Sequence, residues 1–312
     1  MDLALIIPAY NEEESIPELY SWISKSLDPT ELQYEVWFVD DGSTDKTWAA
    51  IEKLHGSHPN VKGIKFRRNY GKSAALNTGF HQCNASVVIT LDADLQDSPE
   101  EIPELYRMIK EENYDVVSGW KKKRYDNAFT KNLPSKLYNG VTGWLSGVKL
   151  HDMNCGLKAY KNEVVKSIEV YGEMHRYIPV IAKWAGFRNI GEKIVQHQAR
   201  KYGKSKFGMN RFVNGFLDLS TILFIGKFGK RPMHFFGTMG LTFFFIGFCF
   251  VFYLSFTKFA FGQVGMTQRP AFFLSLVAMI IGSQMFFAGF LAELVTRNAT
   301  ERNTYLIDKQ LK

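Results

Sequence analysis

Cysteine is scarce in this sequence: Cys83, Cys155 and Cys249 are the only three, scattered and odd in number. They offer neither a disulfide framework nor the paired spacing of a zinc site, and a reducing compartment fits them. No signal peptide is expected, because Met1-Asp2 opens on an acid and the apolar run behind it stops at Pro8. Internal repeats and low-complexity segments are also missing. The most telling absence is of charge. Met233–Phe256 and Ala271–Ala292 contain no Asp, Glu, Lys or Arg, and each is longer than the about 20 residues that cross a bilayer core as helix.

Two membrane helices are therefore expected, over 233–257 and 271–293, with a non-cytoplasmic loop 258–270 between them and a cytoplasmic tail 294–312. Lys227, Lys230 and Arg231 precede the first span, and Arg297 and Arg302 follow the second. The connection holds only Lys258 and Arg269, so the positive-inside rule puts both termini in the cytoplasm. The 312 residues carry a net charge of +7, gathered partly in Lys121-Lys122-Lys123-Arg124 and Arg200–Lys206. Such clusters favour a polyanionic partner. Beside a membrane anchor, that partner is a lipid phosphate or a nucleotide substrate and not nucleic acid.

Upstream of the spans, apolar strand-like runs alternate with helix-like stretches. Leu3–Ile7, Tyr34–Val39, Val61–Phe66, Val87–Leu91 and Asp115–Ser118 read as strands. Ser15–Ser26, Thr44–His55, Ser73–His81 and Pro99 to about Lys110 read as helices, with Ser98-Pro99-Glu100-Glu101 as a capping box. This order predicts an α/β domain with a mostly parallel sheet over 1–206. A further helix is expected over Pro134–Ser146. Between 207 and 232, Phe212, Val213, Phe216, Leu217 and Leu223 fall on one helical face. That amphipathic helix lies in the lipid interface or packs on the catalytic domain.

The chemistry gathers where strands end. Asp92-Ala93-Asp94 follows the run Val87–Leu91, and two carboxylates two residues apart can leave a strand on one side and share a divalent metal. Open α/β sheets bind ligands at that edge. Pro8, Tyr10 and Glu12 end the first strand. Asp40 and Asp41 end the second, where one can accept from a base N–H while the other orders the turn. Arg68-Asn69-Tyr70-Gly71-Lys72-Ser73 offers backbone N–H groups and the Lys72 charge to a phosphate at a helix start. It lacks P-loop spacing.

In this order these residues resemble the family 2 glycosyltransferases, from Leu3 to about Lys206. His151-Asp152-Met153-Asn154-Cys155-Gly156-Leu157-Lys158-Ala159-Tyr160, then Arg200-Lys201-Tyr202-Gly203-Lys204-Ser205-Lys206, then two terminal spans, resemble the polyprenyl-phosphate glycosyltransferases. Dolichyl-phosphate mannose synthases and bacterial undecaprenyl-phosphate glucosyltransferases are of this type. The resemblance implies a GT-A (Rossmann-like) cytosolic domain on a bacterial inner membrane. It implies that Asp92, Asp94 and Gln96 hold Mg²⁺ or Mn²⁺ against the donor diphosphate. Pro8, Tyr10, Glu12 and Asp40 or Asp41 would hold base and ribose, and Lys72 would sit near the sugar or diphosphate. Lys121, Lys131 and Ser135 would meet the acceptor phosphate, with Arg200, Ser205 and Lys206 closing the site. Lys stands at the first two of these acceptor positions, where relatives often have Arg.

The processive signature Gln-x-x-Arg-Trp is absent, so transfer of a single sugar is expected. A lipid phosphate with a second pKa of about 6 is largely ionised at neutral pH, so no strong base is required. Asp152 is then a positioning residue or auxiliary base, and His151 a satisfied turn residue. The expected reaction carries one sugar, from a UDP-hexose or GDP-mannose, to a polyprenyl phosphate with inversion. Transfer to a glycan or protein hydroxyl is an alternative, as is a non-catalytic module that binds nucleotide-sugar. Homo-oligomerisation stays open, with Ala278-x-x-x-Gly282 permitting close helix packing.

Overall fold

A computed structural model describes residues 1–122, 143, 147–199, 201–202, 221, 224, 228, 232–262, 265–298 and 307–311. The expected helix Pro134–Ser146 and the apolar face Phe212–Leu223 lie outside the described residues, apart from Gly143 and Thr221. The chain forms two compact units, Met1–Leu219 with Asn303–Lys312, and Ser220–Arg302.

The first unit is built on one eight-stranded sheet in the order β7-β5-β6-β4-β1-β2-β3-β8. Its strands are β1 (Leu3–Ala9), β2 (Tyr34–Asp40), β3 (Val61–Phe66), β4 (Val87–Thr90), β5 (Val116–Trp120), β6 (Lys158–Lys161), β7 (Ile190–Ile194) and β8 (Ile307–Leu311). β1, β2, β3 and β4 pair in parallel and are crossed by α1 (Ser15–Leu27), α2 (Thr47–Ser57) and α3 (Lys72–Gln82). Leu3, Leu5 and Ile7 of β1 are fully buried, as are Val87 and Ile89 of β4. Strands covered on both faces need such unbroken apolar runs.

Beyond α4 (Ile102–Lys110) the pattern changes. β6 lies between β4 and β5 and runs antiparallel to both, while β7 pairs in parallel with β5. Thr90 at the end of β4 therefore faces Lys158 at the start of β6. The chain before β6 consequently arrives at the edge where β1, β2, β4, β5 and β7 end. Two short helices, α5 (Asn162–Ser167) and α6 (Ile178–Trp184), complete this side.

The expected capping box forms in part. Ser98 accepts from the Glu100 N–H and opens a 3-10 turn, Pro99–Glu101, ahead of α4. Glu101 instead accepts from Gln196 N at 3.1 Å and pairs with Lys193. The second helix starts at Thr47 and not Thr44, because Thr44 N is bound to Asn11 Oδ1 at 2.9 Å in the preceding turn.

The second unit contains two apolar helices, α7 (Pro232–Phe261) and α8 (Pro270–Asn298). In their most apolar stretches only 17% and 11% of residues are buried, unlike the mostly buried core helix of a soluble domain. Apart from Met1, Trp184 and Ile194, every exposed large apolar side chain among the described residues falls on them. Both are long enough to cross a bilayer. A Cβ at Gly282 would lie 2.5 Å from Gly240 O, so this small residue serves packing within the chain. After α8 the chain returns to the first unit as β8, antiparallel to β3.

Candidate active site

At the end of β2 the adjacent carboxylates divide their work. Asp41 accepts from Tyr70 N at 2.7 Å and Gly71 N at 2.9 Å, so both its oxygens hold the turn before α3. Gly71 has φ 95, which favours glycine. Burial pushes the Asp41 carboxyl up to about 6, against the pull of these two N–H groups. Asp40 is fully buried; its Oδ1 accepts from Ser43 N at 2.9 Å, and its Oδ2 has no partner among the described residues. Burial raises its pKa as well.

Beside β2, Pro8 and Tyr10 are half-buried at the end of β1, where Ala9 is in register with Asp40. Glu12 faces the start of α1. Its Oε2 accepts from Ser15 Oγ at 2.8 Å, and its N–H bonds Thr47 Oγ1 at 2.8 Å. Glu12 thus ties two strand-end loops together.

Asp92 and Asp94 follow β4, both half-buried. Lys72, the first residue of α3, pairs with Asp92 Oδ1. Burial alone would raise the Asp92 pKa, but the charge and hydrogen bond of Lys72, aided by the Lys121 charge, hold it at about 2. Asp94 Oδ1 accepts from Gln96 N at 3.2 Å around Leu95, a non-glycine residue at φ 60. Such backbone strain gathers at functional sites. The donor set fits Mg²⁺ or Mn²⁺: hard carboxylate oxygens, one of them already satisfying a cation, with the Gln96 amide two residues on. Among the described residues no group of three or more His, Cys, Asp or Glu converges. Two carboxylates plus donor phosphates and water form a common Mg²⁺ environment.

The antiparallel β6 brings the loop from His151 to Leu157 against this pair. Thr90 Oγ1 donates to Gly156 O at 2.8 Å, and a Cβ at Gly156 would lie 2.4 Å from Asp92 Oδ2. Asp152 is 1% exposed, with its Oδ1 accepting from Asn154 N at 3.1 Å. Glu192 on β7 organises this loop by accepting from Asp152 N at 3.0 Å and His151 N at 2.9 Å. His151 also stacks on Trp120, with ring centroids 4.1 Å apart, and is a satisfied turn residue as expected.

Lys121, expected at the acceptor phosphate, is paired with Asp97. Its Nζ stands 2.6 Å from Asp97 Oδ1, an ion pair and not an aligned hydrogen bond. Burial alone would lower the Lys121 pKa, but the Asp97 charge raises it. Beyond β7 the chain follows the Asp94–Asp97 segment, with Gln198 N bonding Gln96 O at 2.9 Å and residue 97 bridging residue 197. Lys201 then holds Glu18 of α1 at 2.7 Å. Lys131, Ser135, Arg200, Ser205 and Lys206 lie outside the described residues. Asp97, Glu192 and Glu18 were not singled out by sequence, since each is an isolated acid joined to the site only by tertiary contact.

The sequence profile of "Glycosyl transferase family 2" matches residues 4–168. The chain is 34% identical to the dodecaprenyl-phosphate galacturonate synthase of Rhizobium johnstonii, over 95% of this chain and 88% of that one. It is also 34% identical to the undecaprenyl-phosphate 4-deoxy-4-formamido-L-arabinose transferase of Proteus mirabilis, over 98% and 93%. Among solved structures, glucosyl-3-phosphoglycerate synthase from Mycobacterium tuberculosis in complex with UDP superposes with a TM-score of 0.55 at 18% identity. That match covers 72% of this chain and 79% of that one. The same synthase with Mn²⁺, UDP and glucosyl-3-phosphoglycerate gives 0.53 at 17% identity, over 73% of this chain and 79% of that one. With its GT-A sheet, acidic strand ends and two apolar C-terminal helices, the chain belongs to glycosyltransferase family 2 and is a glycosyltransferase of the polyprenyl-phosphate type.

Proposed function

We propose that this enzyme moves one sugar from a nucleoside-diphosphate donor to a polyprenyl phosphate at the cytoplasmic membrane face, with inversion. The observation that carries this reading is the strand-end constellation. Asp40 keeps a buried oxygen without a partner among the described residues, suited to a base N–H, and Asp92 and Asp94 stand beyond β4, with Asp92 joined to α3 through Lys72. A divalent ion held by Asp92, Asp94 and Gln96 would supply charge stabilisation to the departing diphosphate.

The remaining work falls to the chain itself. Pro8 and Tyr10 flank the base and ribose beside Asp40. Lys72 offsets donor charge at the head of α3. The anomeric C–O bond to the diphosphate breaks and its electron pair leaves on the diphosphate, while an oxygen of the lipid phosphate forms the new bond from the opposite face. The acceptor arrives ionised, so Asp152, buried and fixed by the Asn154 N–H, positions its loop and needs to remove no proton. Lys121 turns toward the acceptor only if it leaves Asp97. Lys131, Ser135, Arg200, Ser205 and Lys206 complete the acceptor side.

The donor is a UDP- or GDP-sugar. The named relatives act with galacturonate and formamido-arabinose. An inner-membrane protein with its catalytic unit in the cytoplasm fits the basic flanks of α7 and α8. It also fits β8, which follows both helices and pairs with β3, as an even number of spans requires. The test is extraction of the product after incubation with labelled donor and undecaprenyl phosphate. Label in the organic phase is expected; label found only on water-soluble glycan or protein would overturn the acceptor assignment.

A further inference from the structure

The helix that carries Lys72 is clasped along its length by a later part of the chain. α3 lies so close on β1 that a Cβ at Gly79 would stand 2.4 Å from Ile6 Cγ2, and every residue from Ser73 to Phe80 is buried. Over its other side runs the segment from α5 to the 3-10 turn Met174–Tyr177, which meets the helix at three polar points. Lys166 Nζ donates to His81 O at 2.9 Å, Val170 N to Asn77 Oδ1 at 3.0 Å, and His175 N to Ser73 Oγ at 3.1 Å. Ser73, Asn77 and His81 are four residues apart and so share one face of α3.

The contact at Ser73 is double, and it lies at the site. His175 Nδ1 is 3.0 Å from the same oxygen, so Ser73 Oγ accepts the backbone N–H and can give its own hydrogen to the ring. Ser73 is 1% exposed and directly follows Lys72, whose ammonium pairs with Asp92. Gly71, at the N-cap of α3, brings no side chain to fix the first turn. Asp41 holds the backbone just ahead of Lys72, and His175 holds the residue just behind it. Burial, then the charges of Lys72 and Arg176, keep the His175 pKa well below its ordinary range. A neutral ring can stand near the Lys72 ammonium without repelling it.

Resting on the donor assignment above, we propose that His175 is a positioning residue: through Ser73 it fixes the first turn of α3 and so aims Lys72 at Asp92 and the donor diphosphate. A charged side chain works at a site only when its own support is held, and small displacements there are costly. The contacts at Asn77 and His81 hold the helix farther from the strand edge and serve its packing.

The test uses full-length protein in detergent with Mn²⁺ and measures affinity for UDP and GDP by calorimetry, the tighter nucleotide serving as probe. Lys72→Gln should weaken its binding. His175→Ala and Ser73→Ala should each weaken it by roughly 3- to 10-fold, the scale of one lost hydrogen bond. His175→Asn, which returns a polar atom at the reach of Nδ1, should recover most of that loss. In a Lys72→Gln background neither His175→Ala nor Ser73→Ala should add to the effect, because all three act through one contact. Circular dichroism reports folding, and Ser73→Ala, which removes a single oxygen, carries the test if His175→Ala does not fold. Wild-type affinity in folded Ser73→Ala would overturn the positioning role, as would the same fold-loss with and without Lys72; either leaves the donor reading standing. Wild type that binds neither nucleotide would contradict the donor reading and this inference with it.

Discussion

Gly156 and Asp92 are in direct steric register: a Cβ on the glycine would stand 2.4 Å from the carboxylate Oδ2. Asp92 is also held by Lys72, so it has little room to yield. Gly156→Ala should therefore displace the carboxylate while the sheet stays intact. A displacement of this kind costs about 100-fold in kcat. Steady-state turnover, with circular dichroism as a control on folding, tests this; wild-type kcat in a folded Gly156→Ala protein would contradict it.

A second dependence joins β7 to the loop before β6. Glu192 holds the backbone N–H groups of His151 and Asp152, and its Oε2 lies 2.7 Å from His151 Nδ1. Glu192→Ala should loosen that loop and lower kcat by roughly 10- to 100-fold. Donor affinity, proposed to rest on the β1, β2 and β4 ends, should change little. A raised donor KM at unchanged kcat would show that Glu192 acts elsewhere.

How much of this was legible in sequence follows from where the contacts arise. β1, β2 and the run Val87–Leu91 around β4 are apolar stretches that announce themselves, β3 is a shorter run broken by Lys62 and Lys65, and the acidic residues at these strand ends, Asp40, Asp41, Asp92 and Asp94, fall at one edge once the strands are parallel. Lys158–Lys161 did not read as a strand, because it is four residues long and begins and ends with lysine. Its antiparallel insertion is nonetheless what brings Gly156 to Asp92. Ile190–Ile194 was missed for a similar reason, with Gly191, Glu192 and Lys193 interrupting any apolar pattern. The pairing of Lys121 with Asp97 and the hold of Asp41 on Tyr70 and Gly71 are contacts of the folded chain. The sequence showed the charges but not their partners.

Asp41 gives the fold a pH dependence whose sign is fixed. Its carboxyl rises from an ordinary 3.8 to about 6, first through burial and then through the neighbouring Asp40 charge. A raised carboxyl pKa favours the protonated fold, so this contribution is complete below about 4 and lost as pH climbs through about 6. The slope it adds is at most about 1.4 kcal/mol per pH unit. Comparing Tm between pH 4 and 7 should show wild type falling relative to Asp41→Asn over that window. Parallel profiles would contradict the assignment.

The most direct test of the account is lipid-linked product formed by EDTA-treated protein as Mn²⁺ is titrated back, with Asp94→Asn beside wild type. Wild type should be silent after chelation and recover with metal, while Asp94→Asn stays inactive at every metal concentration although folded and membrane-extracted like wild type. Turnover that survives chelation, or full activity in Asp94→Asn, would contradict metal-assisted transfer at the Asp92–Asp94 pair.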